Sequence, residues 1–84
     1  MIMLDFVKKS LRVSSAAFDD ELSALIDEAD EDLTRAGVEN TETKLYKRAV
    51  VCYCRTYFGE REERERELMR QGYEIVKRRL AVTD

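Results

Sequence analysis

Apolar residues recur at three- and four-residue spacing along almost the whole chain, and alternation with a period of two is never sustained, which predicts helices throughout. Met3, Phe6, Val7 and Leu11 predict a short helix over 4–12. A helix this short is unstable alone and must dock on the others. Residues 14–20 read as a loop, with Asp19 as the N-cap of a second helix over 19–36. Asp19, Asp20 and Glu21 place negative charge where the helix dipole favours it. Leu22, Leu25, Ile26, Ala29, Leu33 and Ala36 form one apolar stripe on that otherwise acidic helix, and Gly37 suits the left-handed position that closes it.

A polar turn, VENTE at 38–42, precedes a third helix over 43–58, with Thr41 or Thr43 able to cap it and Gly59 to stop it. Leu45, Ala49, Val50, Cys52, Tyr53 and Tyr57 occupy a wide face, and Val51, Cys54 and Phe58 a second one. A helix apolar on two sides is normally central and contacted from both. In so small a domain, one of those contacts can come from another chain. The fourth helix, over 61–81, opens with the charge-dense ERERE-type run at 60–67 and continues with Leu68, Met69, Gly72, Tyr73, Val76 and Leu80 as a stripe, Ile75 at its edge. The charged opening has nothing apolar to bury, so it is expected to project from the core, held helical by pairs such as Glu60–Arg64 and Glu62–Arg66. The expected fold is an all-α, single four-helix domain over 1–84. Its core takes Leu22, Leu25, Ile26, Ala29, Leu33, Leu45, Ala49, Val50, Tyr53, Met69, Tyr73, Val76 and Leu80.

The 84 residues are 44% hydrophobic and 39% charged, without proline, histidine or tryptophan. A chain of this length buries only about 60–65% of its unfolded surface, so its own core is marginal. No apolar run approaches the ~18 residues of a membrane span, and Asp5 interrupts the only apolar stretch at the start, which argues against a secretory signal.

Charge is sorted along the chain. Residues 1–13 carry three bases against Asp5, residues 14–43 ten acids against Arg35 alone, and residues 44–84 eleven bases against seven acids, for a net −3. An overall acidic chain does not attract phosphate backbones as a whole. Sorted charge instead allows the acidic second helix of one copy to face the basic third or fourth helix of the next. Asp27, Asp30 and Glu31 are then candidate interface residues on one side, with Lys44, Lys47, Arg48 and Arg55 on the other. Contact between two different patches builds a ring or a filament, not a two-fold dimer.

Little in the sequence points to catalysis. Cys52 and Cys54 would lie about 200° apart on a helix, unable to bridge or to share a metal, and read as packing residues of a reducing compartment. Ser14 and Ser15 have no histidine to activate them, and no glycine-rich phosphate loop is present. The acids of DEADED at 27–32 lie on an outward helix face, not around a converging metal site. Tyr46, Tyr53, Tyr57 and Tyr73 suit core positions with a polar tip. No enzymatic activity, cofactor or metal is expected.

The order of segments MLDFVKKSLRV, SSAAFDDELSALIDEADEDLTRAGV, LYKRAVVCYCRTYFG and YEIVKRRLAV resembles the small head–tail connector (adaptor) proteins of tailed phages and prophages, often labelled phage DNA-packaging proteins. The resemblance spans nearly the whole chain and lies in the order and spacing of its segments. It implies an all-α structural virion protein at the head–tail junction, made in the host cytoplasm. Its copies would form a ring beneath the portal protein, prolonging the channel through which DNA passes without sequence-specific binding, and presenting a surface to the next head-completion or tail protein. The closing AVTD is expected to order on docking. Two further readings rest on the residues alone. One is a nucleic-acid-binding module using Lys44, Lys47, Arg48, Arg55 and 77–79. The other is a regulatory protein holding a partner helix between its second and fourth helices.

Overall fold

The computed structural model describes residues 2–39, 43–60 and 62–83. They form four α-helices, α1 (Ile2–Leu11), α2 (Asp19–Arg35), α3 (Lys44–Tyr57) and α4 (Glu63–Thr83), with a 3₁₀ turn over Ala16–Phe18 between the first two. No strand occurs among the described residues, and the fold is all-α. The molecule is flat, with Cα extents of 35 × 32 × 17 Å.

Local chemistry sets the helix ends. Thr43 caps α3, its hydroxyl oxygen accepting the Tyr46 N–H at 3.1 Å; the alternative cap, Thr41, lies outside the described residues, as do residues 40 and 42 of the turn and Arg61. Asp19 is not the N-cap of α2 but its first residue, preceded by Phe18, which offers no side-chain cap. The Asp19 carboxylate instead accepts Lys8 Nζ at 2.7 Å, pinning the start of α2 to α1. Ser15 caps the 3₁₀ turn within the segment expected to be loop, accepting from the Ala17 N–H.

Two helices end in the same way. Gly37 (φ 98°) donates to the Thr34 carbonyl and Val38 to that of Leu33, and Val38 and Leu33 are both buried, a Schellman closure with its hydrophobic contact. At the end of α1, Arg12 holds the equivalent left-handed position (φ 59°), with Arg12 donating to Lys9 O and Val13 to Lys8 O.

α3 is the centre of the fold, packed against α1, α2 and α4. The core joins Val7 of α1, Leu22, Ile26, Ala29 and Leu33 of α2, and Val38. From α3 come Tyr46, Ala49, Val50, Val51 and Cys54, and from α4 Tyr73 and Leu80. Leu25, Leu45, Tyr53 and Val76 pack against it half-buried, whereas Met69, expected in the core, is half-buried and not part of it. Thr56, fully buried in α3, donates its hydroxyl to the Cys52 carbonyl at 2.7 Å.

Three expectations change. The second face of α3 is largely covered within the chain, Cys54 fully and Val51 down to 7% exposure, and Val51 keeps only a narrow surface beside α1. Leu68 leaves the α4 stripe and is 63% exposed, with Ile75 on the same outward side. It sits roughly 120° around the helix from Leu80, turned away from α3, the main packing partner of α4. Finally, α4 continues through Thr83, so most of the AVTD end is already helical.

Nor does the charged start of α4 simply project. The Arg66 guanidinium folds back onto the end of α3, donating to the carbonyls of Thr56 (3.2 Å) and Gly59 (3.4 Å). It thereby satisfies the Thr56 carbonyl, one of those that a helix end leaves without intrahelical partners. Glu67 pairs forward with Arg70 through two bonds of 3.0 and 2.6 Å.

Candidate functional site

Lys44, Lys47, Arg48 and Arg55 fall at i, i+3, i+4 and i+11 of α3 and therefore share one face. That face and the adjoining side of α1 enclose an open groove of about 590 Å³, lined by these four bases with Phe6, Ser10, Val51 and Cys52. Val51 and Cys52 make an apolar floor between the cations. Lys47 Nζ stands 5.8 Å from the centre of the Phe6 ring, and Arg55 donates to the Ser10 carbonyl at 3.4 Å, so both walls are tied together. Four cations around an apolar floor suit an anionic partner that also offers small or apolar side chains.

The acids of α2 divide into two sets. Asp30 accepts the Tyr46 hydroxyl at 2.6 Å, and Asp32 accepts Tyr73 at 2.6 Å and Lys77 at 3.0 Å. These acids hold α2 to α3 and α4. Burial opposes ionisation of Asp32, but the hydrogen bonds from Tyr73 and Lys77 outweigh it and hold the carboxyl below its usual range. Asp20, Asp27, Glu28 and Glu31 remain exposed on the outward side. Of the three acids named from the sequence, Asp27 and Glu31 share that surface, whereas Asp30, also exposed, is engaged by Tyr46 of α3.

Burial raises the Cys52 thiol despite Arg48 and Arg55 nearby, and pushes Cys54 up to about 12. Neither is a ready thiolate nucleophile. Among the described residues, no group of three or more Cys, Asp or Glu side chains converges to hold a metal ion, and no helix is long and apolar enough to cross a membrane. Tyr46 and Tyr73 are buried with hydroxyls on carboxylates, whereas Tyr57 is exposed.

The four groove bases stand out in the sequence as the polar remainder of α3. Phe6, Ser10, Val51 and Cys52 do not, since only the docking of α1 beside α3 turns them into walls and floor. Of the bases at 77–79 that the nucleic-acid reading invokes, Lys77 is engaged by Asp32 and Glu74, each 3.0 Å from its Nζ. The groove lies between α1 and α3, not between α2 and α4 as a helix-capturing protein would need.

A helical domain with a charged groove offers a surface for binding a partner. The sequence profile of the phage connector proteins matches residues 3–84, and the chain belongs to that family. It is a structural connector protein of phages, a virion component that works among other head and tail proteins. No curated protein and no solved structure shows a significant match.

Proposed function

We propose that the protein is a non-catalytic joint of the virion. Copies assemble as a ring beneath the portal, prolong the DNA channel, and present a surface to the next head-completion or tail protein. The observation that carries this reading is the match to the connector family over residues 3–84. The separation of the α2 acids from the α3 bases supports it, because unlike patches on different sides of one subunit generate head-to-tail contacts that close into rings. Native mass spectrometry at rising protein concentration, with and without portal protein, tests it. Stepwise growth to one closed stoichiometry is expected, and a strict monomer under both conditions would count against it.

Convergence of Lys44, Lys47, Arg48 and Arg55 on one groove favours a second reading, in which the groove holds nucleic-acid phosphates. Affinity for duplex DNA would then fall steeply with salt. A low-salt titration without binding removes this reading.

A further inference from the structure

We propose that the α1–α3 groove is the socket for the outward acidic face of α2 from a second copy of this chain, the two helices running antiparallel in one register. The proposal rests on the assembly reading above and names the surfaces through which copies meet.

The register follows from spacing. The groove bases of α3 occupy positions 44, 47, 48 and 55, and the outward acids of α2 positions 31, 28, 27 and 20, the same intervals in reverse. Laid antiparallel, Lys44 meets Glu31, Lys47 meets Glu28 and Arg48 meets Asp27. Arg55 meets Asp20 at the far end, roughly 16 Å along at 1.5 Å per residue. In the same register the floor residues Val51 and Cys52 fall opposite Ala24 and Ser23, both small side chains. Small groups in the middle let the two backbones approach, and the charged pairs flank the contact. Sliding α2 by one turn in either direction brings at least two of the four bases opposite uncharged residues or lays a carboxylate over the Val51 floor. Running it parallel lays Asp27 over Val51 and sets Lys47 and Arg48 against Ser23 and Ala24.

The two surfaces cannot meet within one subunit. Tyr46, which bonds Asp30 of α2, lies about 180° around α3 from the groove stripe at 100° per residue. The exposed acids of α2 point away from its buried stripe of Leu22, Ile26, Ala29 and Leu33. Socket and plug therefore belong to different sides of the molecule, and each copy offers both.

Oxidative crosslinking tests the register. Ser23→Cys, treated with copper phenanthroline at high protein concentration, with and without portal protein, should give a ladder of covalent multimers through the native Cys52 of the neighbouring copy. Ser23→Cys/Cys52→Ser should abolish the ladder. Arg48→Glu and Asp27→Arg should each weaken association at least about tenfold, since like charges then face each other. Mixing the two variants should restore it, because each groove then finds an opposite charge. Both positions are exposed, and circular dichroism confirms that the variants keep their helices. A covalent dimer that persists without Cys52 would join position 23 to position 23, since Cys54 is fully buried, and would overturn the pairing. Wild-type multimers indifferent to both charge reversals would overturn the pairing while leaving the assembly reading intact; absence of multimers with and without portal would end both. Duplex DNA lost from Arg48→Glu, with no crosslink formed, would assign the groove to phosphates instead.

Discussion

The hydroxyl of Tyr73 donates to Asp32 Oδ2 at 2.6 Å, joining α4 to α2 across 41 residues of sequence. Lys77 donates to the same oxygen at 3.0 Å, one turn further along α4. α3 stands between α2 and α4 and supplies most of the packing for both. This polar clamp therefore fixes how the outer helices close around it, and with them where the acidic face of α2 points.

Asp32→Asn should lower stability by about 1–2 kcal/mol, the lower part of the range for hydrogen bonds to a charged group because the carboxylate is partly exposed. The Asp32 carboxyl titrates below its unfolded value, so its contribution is complete above about pH 4 and is lost as pH falls through the lower folded value. Thermal melts between pH 2 and pH 7 check this. The wild-type chain should lose more stability on acidification than Asp32→Asn does.

Arg66→Ala should cost about 0.5–1.5 kcal/mol, because it removes the partner of the Thr56 carbonyl in the last turn of α3 and the tie to Gly59 just beyond it. In a domain of this size, that is a drop in Tm of several degrees. Arg64→Ala, on the exposed side of the same segment, should stay within about 0.5 kcal/mol of wild type. Equal effects of the two substitutions would remove the capping role.

The paired helix closures predict opposite signs. Gly37→Ala forces a side chain into a left-handed backbone and should destabilise by about 1 kcal/mol. Arg12→Gly relieves that conformation and should stabilise by a few tenths to about 1 kcal/mol. Urea denaturation with unchanged slope checks both.

Val50→Asp should unfold the domain, since Val50 is fully buried and an unpaired carboxylate there costs several kcal/mol. Leu25→Asp should be milder, because half-buried Leu25 can turn its substitute toward water. Far-ultraviolet circular dichroism of the purified variants separates the two outcomes.

Much of the fold is legible in the residues themselves. The α2 stripe, the Gly37 closure and the central place of α3 follow from a 3.6-residue period and from glycine's tolerance of positive φ, both local properties. The fate of individual charges is not local. Asp27, Asp30, Glu31 and Asp32 look alike along the chain, yet Asp30 and Asp32 receive tyrosine hydroxyls from other helices. Arg66 looks like any member of the Glu/Arg run and becomes a cap because the turn after α3 brings it back over Thr56 and Gly59.

Four helices, their approximate ends, the sorting of charge and the kinship with connector proteins can all be read from the residues in order. Packing alone shows that Cys54 is buried by the chain's own helices, that Leu68 faces water, and that four bases of α3 share a groove with Phe6 of α1. Periodicity records which side of a helix is apolar. Which neighbour covers that side, and which polar groups meet across the gap, depends on the angles at which helices pack, and those are set by contacts between residues far apart in the chain.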